Sequence, residues 1–369
     1  MILLASLIAQ FEADFRRRYT GRILPAQRQA LSAMKICRTQ MSPRMLVGCS
    51  DCDHHSHMPH SCGNRLCPHC QHHESQQWLE RQLQKRVPAE YFLITFTIPA
   101  QFRSLAWFHQ RSFYSMMMQC SWETIECFAN NDRQLKGTPG AISVLHTHSR
   151  SMDYHPHVHL VVPAAAIDAK QRLWRTKGRA APGDQSKGKS GYLFNHKALA
   201  KVFRAKMLAA ICAARLTLPA QHPVKWVVDC KPVGSGESAL IYLGRYLYRG
   251  VIRESDILAC KDGQVTFRYR HGKTGRMMYR TVAGSQFLWL ILQHALPKGF
   301  RRARNHGFLH PNSKRLVQIL QLMAWLKPPS TPSWLIKRPQ WLCSRCGAKM
   351  TVIKTRVPPL FSPRLLAPI

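Results

Sequence analysis

The sequence predicts an α+β protein in which a small cysteine-rich zinc domain precedes a larger domain of antiparallel strands flanked by helices. Three observations carry that reading. Six of the thirteen cysteines fall between Cys37 and Cys70, two pairs of them in Cys-x2-Cys spacing. Short β-rich runs such as Tyr91-Phe-Leu-Ile-Thr-Phe-Thr-Ile98 are separated by stretches whose apolar residues recur at three and four. A chain of 369 residues that is 45% hydrophobic and 20% charged is long enough for two or three cores and is not disordered.

Residues 1 to 36 read as helical, from Leu7, Ile8, Phe11 and Phe15 and from a second stretch around Ala26 to Ile36. A polar helix from about Gln71 to Gln84 follows the cysteine block and leads to the strand at 91–98, which Pro99 stops. After a helical region at 103–129, strands at about 141–148 and 155–163 flank a short polar turn and form a hairpin rich in histidine. Residues 168–192, rich in Lys, Arg, Gly and Ser, read as a solvated loop. A helix (196–215), a strand (224–231) and a second helix (237–249) come next, then strands at 265–270 and 276–282 and a helix at 284–295. Basic residues crowd Lys298 to Arg304, and Pro-rich residues 327–339 read as a linker to a tail with Cys343 and Cys346.

Charge narrows the partner. Fifty-four Lys and Arg against 18 Asp and Glu give a formal net charge of +36, a surface that seeks a polyanion, with nucleic acid first because bound phosphates release counterions. No long basic amphipathic helix points to a membrane surface. Met1 to Ile8 is apolar but short, lacks a basic flank and runs into Glu12 and Asp14, so a secretory signal is not expected and the reading is cytoplasmic. In a reducing compartment clustered Cys-x2-Cys pairs mean metal rather than disulfide.

Cys49-x2-Cys52 and Cys67-x2-Cys70 together form a four-thiolate set that closes a tetrahedral, structural Zn²⁺ site. Cys37 and Cys62 remain for a second site, with histidine from His54, His55, His57, His60 or His69. Cys343-x2-Cys346 is half a site and is assigned no metal without a partner pair.

His155-Pro-His-Val-His159 lies on the second hairpin strand. Alternation sends His157 and His159 to one face and Val158 and Leu160 to the other, which offers two imidazoles to one ion. On the helix 237–249, Tyr242 and Tyr246 are four apart and share a face beside Arg245 and Arg249, whereas Tyr248 is rotated away. A divalent ion near paired phenols suits attack on a DNA phosphate, leaving a 5′-phosphotyrosine and a free 3′-hydroxyl. A second tyrosine could then accept a second strand end.

The order of these motifs resembles the IS91-type rolling-circle transposases of bacterial insertion sequences, members of the HUH endonuclease superfamily. The resemblance rests on Cys37-Arg-Thr, Ser61-Cys-Gly-Asn-Arg-Leu-Cys-Pro-His-Cys-Gln71, Leu145-His-Thr, His155 to His159, Tyr242-Leu-Gly-Arg-Tyr246, Val265-Thr-Phe-Arg-Tyr269 and Leu296-Pro-Lys-Gly-Phe300. Leu66 and Met45 stand where members often carry histidine, and Leu247-Tyr248 stands where Thr-His is usual. The resemblance implies a zinc-binding domain that helps recognise element ends, and a nuclease domain with a central antiparallel sheet of RRM-like topology. It implies Mg²⁺ or Mn²⁺ on His157 and His159, a third ligand from the neighbouring strand with His146 ahead of His148, and Tyr242 and Tyr246 as nucleophiles. The expected partner is single-stranded DNA at element ends and target, in the bacterial nucleoid.

The expected domain plan is a helical and zinc-binding region (1–86), the HUH nuclease domain (87–262), a basic hairpin and helical region (263–326), and the linker with its tail (327–369). A replication initiator of the same chemistry and a non-catalytic zinc-dependent DNA-binding protein are the alternatives. An acidic-triad transposase is disfavoured because the 18 acidic residues are scattered.

Overall fold

The computed structural model describes residues 2–70, 72–168, 170, 173–177, 193–248, 250–272, 274–323 and 341–358. The chain begins with helices α1 (Leu4–Arg18) and α2 (Pro25–Lys35), strands β1 (Arg44–Cys49) and β2 (His55–Pro59), and helix α3 (His72–Leu83). Helix α1 buries Leu4, Leu7, Ile8, Phe11 and Phe15, a stripe at helical period, and Pro25 opens α2 where no backbone N–H is needed. The middle of the chain supplies β3 (Tyr91–Thr97), α4 (Arg103–Phe108), α5 (Gln110–Asn131), β4 (Thr138–His148), β5 (Tyr154–Pro163), β6 (Ala165–Asp168) and β7 (Leu173–Thr176). Helix α6 (His196–Ala213), β8 (Val227–Pro232) and α7 (Glu237–Tyr248) follow. The last part holds β9 (Ile257–Lys261), β10 (Gln264–Arg270), β11 (Met277–Ala283), α8 (Gly284–Leu292), β12 (Ala303–Gly307), α9 (Lys314–Met323) and β13 (Met350–Val357).

The chain is α+β with three antiparallel sheets among the described residues. The largest has the order β7-β6-β4-β5-β3-β8, with β12 paired to Gly140–Val144 of β4, beyond the short β6 ladder. Strand β5 lies at its centre, paired with β4 on one side and β3 on the other. Side-chain alternation divides β5 between two cores. Val158, Leu160 and Val162 point into the cluster built with α5 and α6 through Phe113, Met117 and Phe203. Val161, on the parity of His157 and His159, joins the opposite cluster, where Trp78 and Leu79 of α3 meet Leu240 and Leu243 of α7. The strand histidines therefore face the tyrosine helix.

A third core joins α1 and α2 to α8, β10, β11 and the cysteines Cys37, Cys67 and Cys70. It also holds the tip of the β4–β5 hairpin: Met152, in left-handed conformation (φ 67°), is buried there, and its carbonyl accepts from Gln293 Nε2 at 2.8 Å. Strands β9, β10 and β11 form one sheet, so residues on both sides of position 262 pair with each other.

Two stretches differ from the sequence reading. Within the expected loop 168–192, Leu173–Thr176 is a strand against β6, where Trp174 packs edge-on to Phe308; residues 178–192 lie outside the described residues. Only Arg304 of the basic run enters a strand, β12, which owes its conformation to the ladder with β4 rather than to apolar alternation. The expected linker 327–339 lies outside the described residues. Among the described residues no helix is long and apolar enough to cross a membrane.

Candidate active site and metal centres

His146 sits directly opposite His157 in the β4–β5 ladder, and Val144 opposite His159, so His146, His157 and His159 occupy one patch on the α7 face of the sheet. Their ligand atoms lie within 4.8 Å of one another. Hydrogen bonds fix how two of the rings are presented. His157 Nδ1 lies 2.7 Å from the His155 carbonyl, and His159 Nδ1 lies 2.8 Å from Thr95 Oγ1. With Nδ1 engaged, the Nε2 atoms of both rings remain for an ion, the arrangement typical of metal-bound histidine. His146 Nε2 is buried and makes no hydrogen bond. Burial holds all three imidazoles neutral: it pushes His159 down to about 4 against a small opposing effect of Asp229, and lowers His146 and His157 well below the usual range. An orphaned buried nitrogen among neutral, oriented imidazoles fits a divalent cation. His155 turns elsewhere, its Nδ1 2.9 Å from Arg103. His148 is set off by an irregularity in the ladder and lies against Tyr246 and His294.

Helix α7 brings both tyrosines to this patch, but in different states. Tyr242 is 45% exposed, with its ring centre 6.2 Å from those of His146 and His159. Burial raises its phenol pKa and Arg150 opposes the rise. Tyr246 is stacked on His146 at 13° between planes, and its Oη accepts from the backbone N–H groups of Thr147 (3.1 Å) and His148 (3.4 Å). Its pKa is raised far above the ordinary value by burial, with Arg302 the largest opposing influence. The side chain of Tyr248 and all of Arg249 lie outside the described residues.

A groove of about 440 Å³ opens beside the tyrosines, lined by Tyr242, Arg245, Arg150, Arg253, Arg268 and Arg270. Arg245 is exposed there, while Arg253 and Arg268 share Asp256. The guanidinium of Arg150 and that of Arg302 are the cations nearest in effect to the two phenols, and neither was singled out from the sequence, because both lie on turns and strand ends far from α7 in the chain.

The cysteines group differently from the spacing argument. Cys67 and Cys70 join Cys37 and Cys62, with Cys37 Sγ 3.6 Å from Cys67 Sγ and 3.4 Å from Cys70 Sγ. Cys49 and Cys52 instead meet Cys343 and Cys346. The reason lies in the fold: β1 pairs with β13, which carries the tail pair to the end of β1, whereas Cys67 and Cys70 are buried against α1 and α2 in another core. None of the histidines offered for a second set joins either group of sulfurs: His54 Nε2 contacts Ser344 Oγ at 3.3 Å, and His69 contacts Glu254 at 2.8 Å.

Comparison with known proteins places the chain in a family. Residues 7–98 match a family model described as "Transposase zinc-binding domain", and residues 140–316 match one described as "Putative transposase". A protein of Sinorhizobium fredii with the latter description is 28% identical over 351 residues, covering 88% of this chain and 85% of that one. The transposase for insertion sequence element IS801 of Pseudomonas savastanoi pv. phaseolicola is 24% identical over 344 residues, covering 87% of this chain and 82% of that one. No solved structure matches. Matched in both of its principal parts and along most of its length, the chain belongs to the IS91-type transposases and carries their amino-terminal zinc-binding domain.

Proposed function

We propose that this transposase cleaves and rejoins single-stranded DNA through a 5′-phosphotyrosine in rolling-circle transposition, using an HUH nuclease domain of RRM-like topology. The observation that carries the reading is the convergence of His146, His157 and His159 beneath Tyr242 on one face of the central sheet. A divalent ion on those imidazoles would supply polarisation of the scissile phosphate and offset charge on the departing 3′-oxygen. An all-nitrogen set suits Mn²⁺ better than Mg²⁺, which prefers oxygen ligands.

The remaining work falls to the chain. Tyr242, half exposed at the groove, attacks first: its Oη bonds to phosphorus, the bond to the 3′-oxygen breaks, and the phenol proton leaves to solvent. Tyr246 is held in reserve by the Thr147 and His148 N–H groups and must leave that seat to accept a second strand end. Arg150 beside Tyr242 favours the phenolate, and Arg245 and Arg270 line the path of the phosphates. Single-stranded substrate is favoured by a second cleft, where Trp107, Trp289 and the 77%-exposed Phe108 stand among Arg22, Arg103 and Lys298. Unpaired bases stack on such rings, whereas a duplex hides its base faces.

The test is adduct formation with single-stranded oligonucleotides from the element's ends and Mn²⁺. Tyr242→Phe is expected to lose the denaturation-resistant adduct, and Tyr246→Phe to form it but fail in strand transfer. An adduct on both single variants and on the double variant would remove the tyrosines from the chemistry.

A further inference from the structure

We propose that Cys49, Cys52, Cys343 and Cys346 form a second zinc site, so that each chain carries two structural zinc ions and one of them clamps residues 341–357 onto β1. Four thiolates about 2.3 Å from a tetrahedral Zn²⁺ stand about 3.8 Å from one another. Here Cys49 Sγ is 3.4 Å from Cys346 Sγ, and Cys52 Sγ is 3.7 Å from Cys343 Sγ and 3.6 Å from Cys346 Sγ. These separations are far beyond the roughly 2.0 Å of a disulfide.

The backbone repeats the same device on both halves. The N–H of Asp51 points at Cys49 Sγ and that of Arg345 at Cys343 Sγ, each at 3.4 Å and each two residues after the first cysteine of its pair. Such N–H groups favour the thiolate that a metal requires. Gly347, in left-handed conformation (φ 74°), closes the second turn, and the Ser50 N–H donates to the Lys349 carbonyl, which ties the two turns together.

The surrounding module has little else to hold it. Its buried hydrophobic residues are Val47, Cys343 and Met350, with Cys49, Cys52 and Met58 partly buried beside them. Most of β13 is exposed, and its closest insertion is Ile353 over Gly48, where a Cβ would meet Ile353 Cδ1 at 2.6 Å. A sheet with so small a core needs a metal or a crosslink. Cys343 and Cys346 lie beyond both matched family regions, 7–98 and 140–316, so the zinc implied by the amino-terminal match does not account for them. The other cluster, Cys37, Cys62, Cys67 and Cys70, is complete without the tail.

The proposal is independent of the cleavage reaction and is read without it. Full-length protein purified with Zn²⁺ should carry one more zinc ion per chain, by elemental analysis, than the double variant C343S/C346S, a difference to which zinc on the three histidines, common to both proteins, contributes nothing. A second measurement uses the wild-type protein alone. Cys343 and Cys346 should resist iodoacetamide until a strong chelator is added, while the exposed Cys127 and Cys212 react throughout. One zinc per chain, an unchanged zinc content in the variant, or Cys343 and Cys346 alkylating as fast as Cys127 before chelation would each overturn it. So would an intact mass about two daltons low without metal, the mark of a disulfide.

Discussion

The Thr95 hydroxyl engages His159 Nδ1 at 2.8 Å, and so would leave Nε2 to face the proposed ion. A partner of this kind typically matters by 10- to 100-fold in metal affinity. Thr95→Val keeps the shape and removes the hydroxyl. Cleavage by this variant should need about tenfold more Mn²⁺ for half-maximal rate, with most of the rate regained at saturation. An unchanged metal titration would detach Thr95 from the site. The same scale shows what the sequence conceals about the tyrosines. Spacing of four puts Tyr242 and Tyr246 on one face, but only the fold makes one half exposed and seats the other against His146.

Helix α7 is held by two glycines that act in opposite ways. Gly244 packs on α3, and an added Cβ would sit 3.4 Å from Trp78, an ordinary contact; the Ser75 hydroxyl also donates to its carbonyl. Gly250 follows the helix at φ 70°, where a Cβ would stand 2.6 Å from the carbonyl oxygen of Leu66 in the zinc knuckle. Gly244→Ala should therefore be tolerated and raise helix stability by up to about 1 kcal/mol. Gly250→Ala should lower the melting temperature and slow adduct formation, since it both strains the backbone and pushes the tyrosine helix off the knuckle. Equal thermal melts for the two variants would contradict this coupling. The strands that carry apolar alternation, β3 and β5, and the periodic helices α1 and α7 were legible in the sequence. Strand β12, with Ala-Arg-Asn-His-Gly, was not, because its ladder with β4 is a long-range contact that leaves no local pattern. The cysteine pairing failed for the same reason: Cys49 and Cys346 are 297 residues apart, and spacing within a turn says nothing about which turns meet.

At the scale of the molecule, the charge of +36 sets how the protein meets DNA. If the five arginines of the groove each neutralise a phosphate, single-strand affinity should fall with a log–log salt slope of about −3.5. A slope near zero in filter-binding or fluorescence titrations would show that the charge serves another end. The pairing of β1 with β13 bears on a different matter, the order in which the protein is made. Strand β1 leaves the ribosome about three hundred residues before the strand that completes its sheet, while the central sheet and its histidines need nothing from residues 341–357. A gene copy that has decayed at its 3′ side would thus still encode every candidate catalytic side chain, but its product would keep an exposed β1 edge and half a cysteine cluster. Loss of the tail would first spoil the assembly of the amino-terminal module, and an insertion sequence could fall silent with its active site intact.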